Sequence, residues 1–167
     1  MPGRLIIAAK VPNGEVPQMQ SIQYANGQVF IQGAALSLTA GQVVEAANPV
    51  VTAVLVGFSA EPAASKLGFA AANNPTVFTG RVQEVTTYKA DRSTIFSSRL
   101  VNNTAVGVAV AQTDVGAAYN LKFYTVNTLN EWVVDKTVTT AAVRVIDIDT
   151  DLNIVFFKCL EAILGNP

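Results

Sequence analysis

Three aspartates stand at alternate positions late in the chain: Asp147, Asp149 and Asp151 in "RVIDIDTDLNIVFF". Carboxylates spaced this way suit two chemistries. On a loop they could surround a calcium ion. On a strand, Asp147 and Asp149 would share one face about 6–7 Å apart, which overlaps the carboxylate separations of glycosidases. A calcium loop starting at Asp147 needs glycine at its sixth position and a bidentate glutamate at its twelfth. The chain has Leu152 and Lys158 there. A glycosidase also needs a sugar-lined cleft and one carboxyl buried enough to stay protonated, and neither is evident. Hydrophobic alternation explains the stretch with nothing added: Ile146 and Ile148 face inward, Val145, Asp147 and Asp149 face outward, and Asp151 and Asn153 turn the chain back into "IVFFKCL". The expectation is a hairpin tip.

Other chemistry is thin. There is no histidine, which removes the usual general base, the serine and cysteine triads and most zinc and copper sites. Ser97 and Ser98 beside Arg99 have no positioned base, and a serine without one is inert. No phosphate-binding glycine loop and no CxxC pair occur. The single cysteine, Cys159, lies in an apolar run and reads as a packing residue. The expected protein is not an enzyme and has no catalytic, metal-binding or cofactor-binding residues.

The 167 residues suit one domain with a real core. Half are apolar and only 14% are charged, with a net charge of −1, whereas soluble domains average roughly 25% charged. A surface so poor in charge implies that part of it is covered by other molecules. The balance also argues against nucleic acid as a partner. The longest apolar runs, "LIIAA" and "AVLVGF", fall far short of the ~20 residues that span a bilayer, so no membrane association is expected.

The elements that would carry these residues are short strands rich in valine, threonine, isoleucine and phenylalanine. "SIQYANGQVFI" predicts a two-residue type I′ hairpin at Asn26 and Gly27, with Tyr24 facing Val29 and Ile22 facing Ile31. "AALSLTAGQVVEA" predicts a second, turning near Ala40 and Gly41, and "VVTAVLVGF" a strand buried on both faces. Ser59 could cap helical turns ending at Gly68, with a loop as the alternative. Residues 89–104 carry Lys89, Asp91, Arg92 and Arg99 and read as an exposed excursion around a short strand at 95–100. "AVGVAVAQ" alternates valines with small residues, and "TDVGAAY" reads as a turn or one helical turn. "NLKFYTVNTLNEWVVDK" predicts a third hairpin turning at 127–130, placing Phe123 opposite Val134, Thr125 opposite Trp132, and Lys122 opposite Asp135. Trp132 reads as a core anchor in preference to a sugar platform.

The fold class expected is all-β, a compact barrel or sandwich of short antiparallel strands. Residues 21–167 form the single domain. Pro2, Pro12 and Pro17 favour an extended, unpaired N-terminal arm over residues 1–20. Its apolar anchor for a partner would be Leu5, Ile6, Ile7, Ala8 and Ala9.

The order of segments carries a resemblance. A prolyl arm leads into "GQVFIQGAALSLTAGQVVEAAN" and "VLVGFSAEPAAS", followed by "VFTGRV", "DVGAAYNLKFY", "WVVD" and a closing "VRVIDIDTDLNIVFFKCL". Over residues 21–162 this resembles the small capsid decoration, or cement, proteins of tailed bacteriophages, in pattern and order with no single diagnostic motif. The resemblance implies a β-rich virion protein, made in the host bacterial cytoplasm and bound as a homotrimer to the outer surface of an icosahedral head. There it would brace neighbouring major capsid protein subunits. It brings no catalytic residues, and the arm departs from the minimal domain. The alternative is a carbohydrate- or receptor-binding β-module of a phage tail or fibre.

Overall fold

The computed structural model describes residues 6–10, 17–25, 28–50, 54–63, 84–104, 106–126, 129–136 and 140–164. The strands are β1 (Ile7–Lys10), β2 (Met19–Gln23), β3 (Ala35–Thr39), β4 (Gln42–Glu45), β5 (Leu55–Ser59) and β6 (Glu84–Lys89). They continue as β7 (Ile95–Ser98), β8 (Leu100–Val101), β9 (Ala118–Val126), β10 (Leu129–Asp135), β11 (Val143–Asp149) and β12 (Ile154–Cys159). Single 3-10 turns follow at Gln112–Asp114 and Glu161–Ile163, and the described residues include no α-helix.

Two sheets form a sandwich. The larger has the order β1-β7-β12-β11-β9-β10-β8 and the smaller β2-β6-β5-β3-β4. Neighbours run antiparallel except β8 and β10, which are parallel. The small sheet curls until its two edges touch at one parallel bridge between Tyr24 and Val43, where Ala25 N–H donates to Val43 O at 2.9 Å. Among the described residues, strand pairing between the two edges is confined to that bridge. The molecule is therefore a sandwich, and the barrel alternative is set aside.

Aromatic rings join the layers. Phe58 on β5 packs against Phe96 on β7 and Phe157 on β12, with ring centroids 4.6 and 6.1 Å away. All three are fully buried, and such ring pairs add about 0.5–1.5 kcal/mol each beyond their area. Trp132 on β10 is 1% exposed, and its indole N–H donates to Glu45 Oε1 on β4 at 2.8 Å. It is a core anchor. Asn48 ties the β4–β5 connection to β9 by two reciprocal bonds of 2.9 Å between its side-chain amide and the Phe123 backbone.

Several expectations hold. β3 and β4 form the hairpin turning at Ala40 and Gly41, both at positive φ (50° and 81°) as a primed turn requires. β9 and β10 form the third hairpin, but with a shorter loop: Trp132 pairs with Phe123, not Thr125. The shift is two residues, so each side chain keeps its face. Lys122 Nζ still reaches Asp135 Oδ2 at 3.4 Å. A 3-10 turn stands where "TDVGAAY" suggested a helical turn.

Others are corrected. Asn26 and Gly27 lie outside the described residues, and the strand before them does not pair with the segment after them. β2 pairs with β6, so Ile22 faces Val85, while Tyr24 meets Phe30 edge-on at 5.8 Å without a strand pair. The short strand expected at 95–100 is present as β7 and β8, with Arg92, Ser93 and residues 102–104 exposed around it, but β7 itself is buried between β1 and β12. Residues 106–110 make no strand, and Val106 is 70% exposed. The strand predicted over 50–58 is β5, described from Leu55. The alternatives at 59–68 fall largely on residues outside those described.

Two parts of the expected arm are strands of the chain's own sheets. Ile7–Lys10 is the edge strand β1, with Ile7 opposite Ser97 and Ala8 opposite Phe96, and β2 starts at Met19. Ile6 is 1% exposed. Leu5 lies outside the described residues.

Candidate functional site

The aspartate stretch is the β11–β12 hairpin tip. A bulge between Val145 and Asp147 shifts the register, and it turns Val145 into the core at 0% exposure instead of onto the face of Asp147. Asp147 is exposed, with Oδ1 accepting Ile148 N–H at 2.9 Å. Asp149 Oδ1 accepts Leu152 N–H at 2.8 Å and closes the turn. Asn153, at φ 53°, accepts from Val110 N–H at 2.9 Å and donates to Val108 O at 3.2 Å, stapling the tip to the preceding loop. Among the described residues no group of three His, Cys, Asp or Glu side chains could hold a metal. Ser97 and Ser98 are buried in β7. Cys159 is buried, and burial pushes its thiol pKa up, away from thiolate chemistry.

The acidic side chains that are buried belong to ion pairs on the large sheet. Asp135, fully buried, accepts Asn103 N–H at 3.1 Å and Tyr124 O–H at 2.5 Å besides Lys122. Glu131 pairs with Arg99. Asp114, 1% exposed, accepts Tyr119 O–H, Lys136 Nζ and Ala111 N–H at 2.7, 2.7 and 2.8 Å. Burial opposes ionisation of Asp114, but the bonds from Lys136, Tyr119 and Ala111 outweigh it and hold the carboxyl below its ordinary value. A carboxylate with its lone pairs so occupied is a poor base. These clusters fix the sheet.

The same cluster gives a pH prediction. Burial first, and the Asp114 carboxylate second, push the Tyr119 phenol up to about 12. A folded-state value above the ordinary one near ~10 gives stability that is full below ~10 and lost as pH rises toward ~12. Urea unfolding across that window should show falling stability, with a shallower fall in Tyr119→Phe. An unchanged slope would count against the assignment.

The surface offers a different kind of site. A groove of about 580 Å³ opens on the small sheet where its curled edges part. Ile22, Leu38, Val54, Leu55, Val56 and Leu164 supply apolar lining, and Gln20, Lys89, Asp91, Arg92 and Glu161 supply the polar groups. β2 and β6 contribute by strand alternation, β5 by the irregular register opposite Leu36 and Ser37, and the C-terminal turn by a bridge from Leu164 to Leu55. Leu38 and Val54 are 44% and 46% exposed. Arg92 is paired with Glu161. Asp91 Oδ1 accepts Ser93 N–H and Oγ–H and Thr94 N–H at 2.7–2.8 Å. Burial opposes its ionisation, and these bonds prevail and lower its pKa. Lys89 is half-buried, and its ammonium has no hydrogen bond or ion pair among the described residues.

The sequence did not point to this groove, because its walls come from four strands and a terminal turn that are distant along the chain. Of the expected contact residues, Ile6 is in the core, and Ile7, Ala8 and Ala9 are in β1. No protein-family model, no curated protein and no solved structure matches the chain.

Proposed function

We propose that this chain is a structural virion protein, a decoration subunit that self-associates as a homotrimer. It binds the outer surface of an icosahedral phage head and braces contacts between major capsid protein subunits. In this reading it is not an enzyme, takes no cofactor, and has neither nucleic acid nor membrane among its partners. The resemblance over residues 21–162 suggests the role. The observation that carries it is large apolar side chains left in solvent on a surface short of charge: Met19, Val29, Leu38, Val54, Val106 and Leu152 are 44–70% exposed. Apolar area of this kind is suited to contacts with copies and with a shell. Many modest contacts repeated over one shell add up by avidity. For the alternative, a carbohydrate- or receptor-binding β-module of a phage tail or fibre, Trp132 supplies no sugar platform, since it is closed off in the core.

Light scattering of the purified protein should give about three times the chain mass, and co-sedimentation with empty heads should show saturable binding. A monomer that leaves heads bare would refute the proposal. Deleting residues 2–12 tests the arm, but it also removes β1 and uncovers the edge of β7. The deletion therefore needs a melting curve beside the occupancy measurement, and lost binding counts only if the fold survives.

A further inference from the structure

We infer that the groove is a docking site for an extended peptide segment of another protein, apolar at alternate positions and bearing one carboxylate that reaches Lys89. The inference goes beyond the decoration role and does not depend on it.

Three observations converge. The first is an open backbone edge. Lys89 N–H donates to Gln18 O at 3.0 Å, so Gln18, Gln20 and Ile22 direct their backbone groups toward β6, while Met19 and Ser21 direct theirs away. The backbone bridge on that edge joins Tyr24, just past β2, to Val43 of β4, and the β3–β4 hairpin turns back at Ala40 and Gly41 before it reaches the rest of β2. Beside residues 19–22, no described strand occupies that edge. An added strand would pair there over about four residues, ~13 Å.

The second is the apolar wall. Side chains of an added strand that point into the curl would meet Ile22, Leu38 and Val54, and the last two are now half in water. The third is charge. Lys89 is a half-buried cation without a partner among the described residues, in a groove whose other charges are engaged. A carboxylate there would gain more than one at an exposed surface.

The same features disfavour a second copy as the occupant. The edge strands are β1, β8, β2 and β4. Among the described edge strands only β4 carries a carboxylate, that of Glu45, and it already accepts the Trp132 indole N–H. A free amphiphilic acid would satisfy Lys89 and the wall but make no bond to the outward backbone groups of Met19 and Ser21.

The test uses the full chain and two fluorescein-labelled, end-capped peptides, Val-Ser-Glu-Ser-Val and its Glu-to-Lys counterpart, read by fluorescence anisotropy. The glutamate peptide should bind saturably, and Lys89→Glu should weaken it roughly tenfold or more while strengthening the lysine peptide. Ser21→Pro removes an outward N–H and leaves the backbone ladder to β6, though it loses the bond from Ser21 Oγ to Glu84 Oε2, and should weaken both peptides. If that variant fails to fold, the charge swap at Lys89 decides alone. Equal binding of the two peptides, or none at millimolar concentration, overturns the inference. So does tight binding of decanoate where the glutamate peptide fails, which makes the groove an amphiphile site. Self-association by light scattering that Lys89→Glu abolishes also overturns it, in favour of a second copy.

Discussion

Trp132→Ala should lower stability by about 3–5 kcal/mol, the range for deleting a large buried aromatic. For a chain of this size that is roughly 2–4 °C of melting temperature per kcal/mol. Three losses combine. The indole is 1% exposed, so its removal leaves a cavity. Its ring lies 5.7 Å from that of Phe123 across the β9–β10 pair, and that contact goes too. Glu45 Oε1 loses the donor that ties the small sheet to the large one. Trp132→Phe separates these effects, since it keeps most of the volume and strands Glu45, and it should cost about 1–3 kcal/mol. Urea midpoints for the two variants check the order. A loss below ~1 kcal/mol for Trp132→Ala would mean that the sheets do not depend on this contact.

Gly57→Ala should be nearly as damaging although it adds one methyl. A Cβ at Gly57 would lie 2.1 Å from Tyr88 O and 2.6 Å from Thr87 Cγ2. The nearest atom is backbone, so β5 and β6 must separate where Gly57 is registered with Lys89. Over-packing a core position costs about 1–3 kcal/mol and more when backbone must move, so about 3 kcal/mol is expected. Gly41→Ala is the control. Its φ of +81° disfavours a side chain, but no atom lies within 4 Å, so the cost should be about 1–2 kcal/mol. Comparable losses from the two would show that β5 and β6 accommodate the methyl at Gly57 more cheaply than the 2.1 Å approach implies. Because Lys89 sits opposite, Gly57→Ala should also disturb the groove.

Local turn chemistry was legible in the sequence. Ala40 and Gly41, the Asp149 turn and the β9–β10 reversal all lie between strands adjacent along the chain, and each hairpin formed. The β9–β10 register was misjudged by two residues because alternation fixes faces but not loop length. Asn26 and Gly27 carry the same turn signal without producing a hairpin, because β6, some 60 residues on, supplies Ile22 with Val85 as partner. Sequence spacing gives no hint of that competition. The strand at 95–100 is legible in the same way, but its central place in the sheet is not, because both partners of β7 come from remote parts of the chain and Arg99 folds onto Glu131. The groove was invisible for the same cause.

The placement of β12 between β7 and β11 has a consequence for biosynthesis. It is the last strand described in the chain, so the ribosome delivers it after every other strand of that sheet. Until then, the flanks of β7 and β11 that it will join stay unmatched, and β1, though translated first, can recruit β7 only into a half-sheet. The large sheet therefore cannot close before Ile154–Cys159 has been made, and until then its two halves present open, adhesive edges.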